Sequence, residues 1–314
     1  MRIAAIVVNY ETPGLVTDCL ASLRPELAAG DEVVVVDNGS TDGSPARLAG
    51  TLDEQGWGAA ARLLSLPRNG GFAYGVNAAL RAAPAADAYL LLNSDTVVRP
   101  GALAALAAAL AADPEAGIVG ARLEKEDGAP QASAFRFPSP LGETARAAGG
   151  VVARILGRWA VAGADGRGVA PPGWVSFAAV LIGSAVVARI GGLDEGYFLF
   201  YEDVDYCRRA RAAGFGVASR PDARVVHRRA GGPFAAPTAR AAARRAHLYA
   251  SRARYYARFH GRSGLWTANL CWTAGRMVSL AGKLVSGRGP RLHPGEARAI
   301  WTNALRPLSP PGSR

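Results

Sequence analysis

The 314-residue sequence predicts an α/β fold: a mostly parallel sheet with flanking helices, continued by a basic helical C-terminal extension. Three observations carry that prediction. Short β-branched runs alternate with Ala- and Leu-rich helical stretches through the first half. Those runs are apolar at every position, which marks strands covered on both faces. Positive charge gathers in the last third of the chain.

In order, Arg2–Val8 reads as the first strand, and Thr12-Pro13 opens a helical stretch over Pro13–Leu27. Glu32–Val36 holds four successive valines and reads as a second buried strand. Ser44-Pro45 starts the next helix, because proline is tolerated in a first turn. Arg62–Leu66 reads as strand, Gly71–Ala83 as helix, Tyr89–Leu92 as strand, Pro100–Ala112 as helix and Ile118–Ala121 as strand. Residues 138–172, rich in Gly, Ala and Pro, read as a long, partly helical excursion. Trp174–Ala188 is uncharged but short of the ~20 residues of a spanning helix, so it is taken as buried core. Glu202 starts a helix to about Ala213, and Ala223–Val226 is strand-like. From Arg240 the chain is helical, with a frayed end over Pro307–Arg314.

Composition narrows the function. Half the residues are hydrophobic, which excludes wholesale disorder. The 38 Gly and 20 Pro follow no G-X-Y period, which excludes collagen. The net charge of +11 is uneven: residues 1–205 hold 15 basic and 23 acidic side chains, residues 206–314 hold 21 basic and two acidic ones. Such a block suits phospholipid, nucleic acid or an anionic substrate. Cys19, Cys207 and Cys271 form neither a disulfide framework nor a CxxC pair, as expected of a reducing cytoplasm. The apolar part of MRIAAIVVNYE is too short for a signal peptide.

Ligands of such sheets bind beyond the carboxyl ends of the strands. Here those ends read Asn9-Tyr10-Glu11, Asp37-Asn38-Gly39-Ser40 and Asn93-Ser94-Asp95. Neither G-x-G-x-x-G nor a P-loop lysine is present, so a nucleotide at this carboxylate rim needs an intervening cation. On the residues alone, Asp37 is either an Asx-turn aspartate or a partner for an imide N–H. Asn69, Gly70, Gly71 and Phe72 precede a helix, where glycines permit close backbone approach.

The segments IVVNYE, VVVVDNGSTDGS, RNGGFAYGVNAAL, LLLNSDTVV and IGGLDEGYFLFYEDVDYCRRARAAGFGV followed by VVH, in this order, resemble the family 2 inverting glycosyltransferases of GT-A fold. The similarity is greatest to bacterial rhamnosyltransferase-like members and spans about residues 2–230. It implies a GT-A domain over 1–232, with a nucleotide-sugar half (1–122) and an acceptor half (123–232), then a basic helical region over 233–314.

By that resemblance, Asp37 pairs with the ring N–H of a pyrimidine, with Tyr10 and Glu11 beside it. Asn69, Gly71 and Asn77 support the donor pocket. Asn93-Ser94-Asp95 stands where the family has D-x-D, so Asp95 alone supplies a full charge to Mg²⁺ or Mn²⁺, and His227 is the second ligand. In Glu202-Asp203, Asp203 is the general base and Glu202 its catalytic neighbour. Crowding by Glu202, Phe198, Phe200 and Tyr201 is expected to raise its pKa. Trp174 and Phe177 face the acceptor side. Relatives carry Gly-Ala after Trp-Val-Ser and then a basic pair; here Phe177 follows Ser176 and Gly183-Ser184 replaces the pair, so Phe177 is expected to narrow that pocket.

The expected function is transfer of a sugar, for which L-rhamnose from dTDP-rhamnose is the guess, to a polyprenyl-linked or polysaccharide hydroxyl. The expected place is the inner face of the cell membrane, in the cytoplasm. Arginines beside Tyr249, Tyr255, Tyr256 and Phe259, then Trp266, Trp272, Leu280 and Leu284, suggest contact with an anionic membrane surface rather than insertion. The rival readings are a catalytically silent GT-A scaffold and a nucleic-acid-binding protein. No nucleic-acid motif is present, so no nucleic-acid partner is expected.

Overall fold

The computed structural model describes residues 1–113, 115–161, 169–228, 239–286 and 295–309. The chain divides into two compact units, each described by itself. The first comprises Met1–Ala134, Ala170–Glu195 and Glu202–Ala230, and the second Phe135–Val169, Gly196–Tyr201 and Gly231–Arg314. The excursion around residue 140, expected within the acceptor half, thus groups with the C-terminal helices.

In chain order the strands are β1 (Ile3–Asn9), β2 (Glu32–Asp37), β3 (Ala61–Ser65), β4 (Ala88–Asn93), β5 (Thr96–Val98), β6 (Ala116–Glu124), β7 (Pro130–Gln131), β8 (Ala134–Phe135), β9 (Trp174–Val175), β10 (Ala179–Gly183) and β11 (Gly216–His227). The helices are α1 (Pro13–Leu23), α2 (Ser44–Glu54), α3 (Phe72–Ala82), α4 (Ala102–Ala112), α5 (Pro140–Ala148), α6 (Gly150–Ile155), α7 (Ser184–Ile190), α8 (Glu202–Ala212), α9 (Ala239–Ser286) and α10 (Glu296–Ala299). Gly261 interrupts α9 with φ +70 and ψ 176.

The first unit is a sheet of order β3-β2-β1-β4-β10-β6-β11-β5, with β7 paired to β6. Strands β1 to β4 run parallel, as their apolar runs predict. Val33 to Val36 are all fully buried, so neither sheet face meets water there. Two strands correct the parallel expectation. Strand β10 lies antiparallel between β4 and β6, and β5 runs antiparallel to β11. An apolar run reports burial and not direction, and β10 follows the long excursion rather than a simple crossover helix. The three-residue β5 was not foreseen.

The second unit is helical. Ser139 caps α5 by accepting from the Gly142 N–H at 3.1 Å. Helix α5 packs on α9 around Glu143, which is buried between two guanidinium groups. Arg252 Nε lies 3.0 Å and Arg146 2.9 Å from its oxygens, and the Tyr256 hydroxyl donates to it at 3.0 Å. Although burial disfavours the charge, Arg146 and Arg252 together bring the Glu143 carboxyl down to about 2. Tyr249, Tyr255, Tyr256 and Trp272 are buried in this unit, which corrects their expected place on an interfacial surface. The side chain of Leu284 lies outside the described residues. Among the described residues, no helix is long and apolar enough to cross a membrane.

Glu143→Ala leaves Arg252 as a buried cation short of its counter-charge. It is expected to cost about 3–5 kcal/mol of unfolding free energy, measurable by urea denaturation. Because the folded pKa is depressed, the stabilisation from Glu143 is complete above its ordinary value near 4.5 and is lost as pH falls toward about 2.

Candidate active site

Pairing register assembles the rim. Asn9 stands opposite Asp37 across β1–β2, and Val8 opposite Asn93 across β1–β4. Asn9 and Asp37 are both buried, and each needs polar partners. The Asn9 side-chain amide donates to Asp37 Oδ1 at 2.7 Å, and the Ser40 N–H donates to Oδ2 at 3.0 Å. Asp37 therefore makes the Asx turn that the residues alone allowed. Ser40 Oγ also accepts from the Glu11 N–H at 2.9 Å. Glu11 holds a left-handed φ of 55 and accepts from the Thr41 hydroxyl at 3.2 Å, while Tyr10 is exposed.

One residue the sequence reading passed over ties this turn to the next loop. The Asn38 side-chain amide donates to the Gly71 carbonyl at 2.9 Å and to Asn69 Oδ1 at 3.1 Å. Asn69 Oδ1 in turn accepts from the Gly71 N–H at 3.0 Å. Gly39, at φ +70, has the backbone of Arg68 where a Cβ would stand, 2.3 Å away. Only glycine admits this approach. The signal was present in Asn-Gly, a pair that marks tight turns.

The Asn93-Ser94-Asp95 turn joins β4 to β5. Strand β5 pairs with the end of β11, setting Thr96 opposite His227. That pairing brings Asp95 Oδ1 within 3.4 Å of His227 Nε2. The Gln131 side-chain nitrogen lies 2.9 Å from His227 Nδ1. An amide N–H donated to Nδ1 leaves the proton on Nε2; turning the amide so that its oxygen accepts from Nδ1–H frees the Nε2 lone pair for a cation. The carboxylate suits Mg²⁺ or Mn²⁺, and the imidazole nitrogen favours Mn²⁺, the softer of the two. Among the described residues, no group of three or more His, Cys, Asp or Glu side chains could hold a metal alone. The pair therefore fits a cation that draws its other ligands from water and a diphosphate.

Asp203 is the second residue of α8, and its Oδ1 accepts from the Val204 N–H at 2.8 Å. The backbone N–H of Phe177 is among the groups that favour its charged form. Burial nonetheless pushes its pKa up to about 7. Glu202 is buried, its Oε2 has no hydrogen-bond partner, and burial beside Asp203 drives its pKa well above the usual carboxylate range. The backbone just before them is left-handed at Phe200 (φ 69) and Tyr201 (φ 67), a conformation that costs bulky residues energy and clusters at functional sites.

The acceptor-side pair divides. Trp174 opens β9 and is half-buried. The Phe177 ring is 2% exposed and packs edge-on against Tyr206 at 5.8 Å, so it meets the site through its backbone rather than as a pocket wall. The next residue, Ala178, accepts from the Asn93 N–H at 2.9 Å. The segment entering β10 is thus bonded to the start of the Asn93–Asp95 turn.

Two further clamps fix this region. Arg209 pairs with buried Asp205 at 2.7 Å and donates to the carbonyls of Ile190 and Gly192, both at 2.9 Å. Asn77 on α3 exchanges hydrogen bonds with the Leu193 backbone, at 2.8 and 2.9 Å, and donates to Glu195 at 2.9 Å. Its first evident task is thus to anchor the segment leading toward Glu202-Asp203.

A mixed sheet whose carboxyl rim carries these carboxylates has the architecture of a GT-A glycosyltransferase. Residues 4–147 match the family model described as Glycosyl transferase family 2, and the chain is similar to rhamnosyltransferases. It is 29% identical over 299 residues to the N-acetylglucosaminyl-diphospho-decaprenol L-rhamnosyltransferase of Mycobacterium tuberculosis, covering 89% of this chain and 91% of that one. Its fold is similar to the mannosyltransferase PcManGT from Pyrobaculum calidifontis in complex with GDP-Man and Mn²⁺, with TM-score 0.59 and 18% identity over 98% of this chain and 84% of that one. It is also similar to S. aureus TarS 1-349, with TM-score 0.55 and 15% identity over 98% and 80% of the two chains.

Asn77→Ala is expected to lower the unfolding free energy by about 1–3 kcal/mol, since it strands buried backbone groups of Leu193. Urea titration reads the loss directly.

Proposed function

We propose that the protein is a divalent-cation-dependent inverting transferase working at the inner face of the cell membrane. It passes a sugar, L-rhamnose from dTDP-rhamnose in this reading, to a hydroxyl of a polyprenyl-diphosphate-linked or polysaccharide acceptor. The M. tuberculosis relative, named for rhamnosyl transfer to a decaprenyl-diphosphate-linked sugar, supports the sugar and the acceptor class. The observation that supports the mechanism is the pairing of β5 with β11, which sets Asp95 within 3.4 Å of His227 at the carboxyl rim.

Asp37, with Tyr10 and Glu11 near it, takes the nucleotide base, and the Asn69–Gly71 backbone borders the phosphates. Asp95 and His227 would hold Mg²⁺ or Mn²⁺, which when bound offsets negative charge on the departing diphosphate. Asn93, lacking a charge, contributes only dipoles. Asp203 accepts the proton of the acceptor hydroxyl as that oxygen attacks the anomeric carbon from the face opposite the leaving group. Burial beside Asp203 raises the Glu202 pKa well above the usual carboxylate range, which favours a single negative charge on the pair.

Asp203→Asn keeps shape and loses the proton acceptor. Its kcat is expected to fall by about 10²–10⁴ with donor affinity nearly unchanged. Near wild-type turnover would remove Asp203 from the role. In the wild type, transfer should rise with pH through about 7 and level off above it, as the carboxylate form fills.

Asp95→Ala and His227→Ala should each weaken the thermal stabilisation that Mn²⁺ adds to nucleotide binding. Asp37→Ala should also weaken binding of the free nucleoside. Equal Mn²⁺ dependence in wild type and both ligand variants would exclude Asp95 and His227.

A further inference from the structure

The second half of α9 is apolar on two opposite faces. One face is buried and carries Leu265, Ala268, Trp272 and Gly275. The other carries Trp266, Leu270, Met277 and Leu280, which helical spacing aligns along three to four turns. They are 44, 61, 65 and 44% exposed. A solvated helix places polar residues on its outer face, and an apolar stripe broken on this face by Thr273 signals a surface meant to be covered.

The stripe continues beyond the helix. The Trp301 ring packs edge-on against Trp266 at 5.6 Å, and Arg262 donates to the carbonyl of Leu305, itself 71% exposed. Trp301 also lines a hollow of about 540 Å³ shared with Arg245 and Arg298. Charge selects the occupant: residues 239–286 contain nine basic side chains and no acidic one. An apolar stripe on a segment with this excess of basic over acidic residues complements the acyl and headgroup layers of an anionic bilayer.

We infer that Trp266, Leu270, Met277 and Leu280, with Trp301 and Leu305, form a surface that lies in the interface of an anionic membrane, with the α9 arginines at the headgroups. This deepens the membrane location of the proposed function by naming the face that makes contact. It differs from the sequence expectation in its residues, because most of the aromatic side chains expected there are buried in the unit.

The experiment is flotation of the full chain with phosphatidylcholine vesicles, with and without phosphatidylglycerol, at low and high salt. Binding should require phosphatidylglycerol and weaken with salt. Leu270→Ser combined with Met277→Ser replaces exposed side chains and should fold normally, yet each removed anchor should lower partitioning by about tenfold. Trp266 and Trp301 emission should shift to the blue on anionic vesicles only.

Donor hydrolysis by the double variant should match the wild type, which separates failure of the surface from failure of the transferase reading. Absence of binding to anionic vesicles overturns the proposal, as does undiminished binding by the double variant. A concentration-dependent dimer that the double variant abolishes, without flotation of the wild type, would assign the stripe to a second copy instead.

Discussion

The parallel register of β1 against β2 and β4 is the constraint on which the rest of the site depends. Valine stands on both faces of β2, so a slip of one residue would keep it apolar on both and would instead break the match of Asn9 with Asp37 at the strand ends. Polar pairing at the rim therefore helps to fix the register. In that register the apolar runs stop level with one another, at Asn9, Asp37 and Asn93. Polar groups begin where the core ends, and the first of them are still buried. They persist there because Asn9 and Asp37 satisfy each other and the Ser40 turn.

The parallel half-sheet carries Asp37 and leads into the Asn93–Asp95 turn but does not carry Asp203. Strand β10 provides the connection by entering antiparallel beside β4. An antiparallel neighbour begins where a parallel one ends, so the residues that lead into β10 arrive at the carboxyl rim and not at its opposite edge. Phe177 and Ala178 are those residues. The Ala178 carbonyl accepts from Asn93, and the Phe177 ring packs on Tyr206 of α8, the helix that carries Asp203.

The legible part of this architecture was whatever local pattern encodes. Continuous valines announced β2, and Ser44-Pro45 marked α2 to the residue. The ordered motifs marked Asp37, Asp95, Asp203 and His227, of which the structure brings Asp95 and His227 together. What stayed hidden depended on long-range pairing. Three residues of β5 carry too little pattern to be seen, yet without them His227 has no fixed relation to Asp95. Asn38 was overlooked because its partners lie more than thirty residues away. In α9, Tyr255 and Leu270 look equally apolar in sequence, and only packing decides that one is buried and the other exposed.

That decision has a physical cause in Glu143. A helix with two apolar faces could in principle bury either, and area alone would not discriminate strongly between them. Arg252 and Asn269 lie on the buried side, joined by a 2.7 Å hydrogen bond, and Arg252 reaches Glu143 at 3.0 Å. Turning α9 by half a revolution would bury the Trp266–Leu280 stripe but leave Glu143 inside with one cation fewer. The cost of an uncompensated buried carboxylate exceeds what a few added apolar contacts return. The ion cluster thus acts chiefly on orientation: it holds the tyrosines inward and keeps the second apolar face outside. The same constraint explains why a strongly basic region retains two of its few acidic neighbours, Glu143 and Glu296, bridged by Arg146 at its buried base. Beyond that cluster, α9 contributes basic residues and no acidic one.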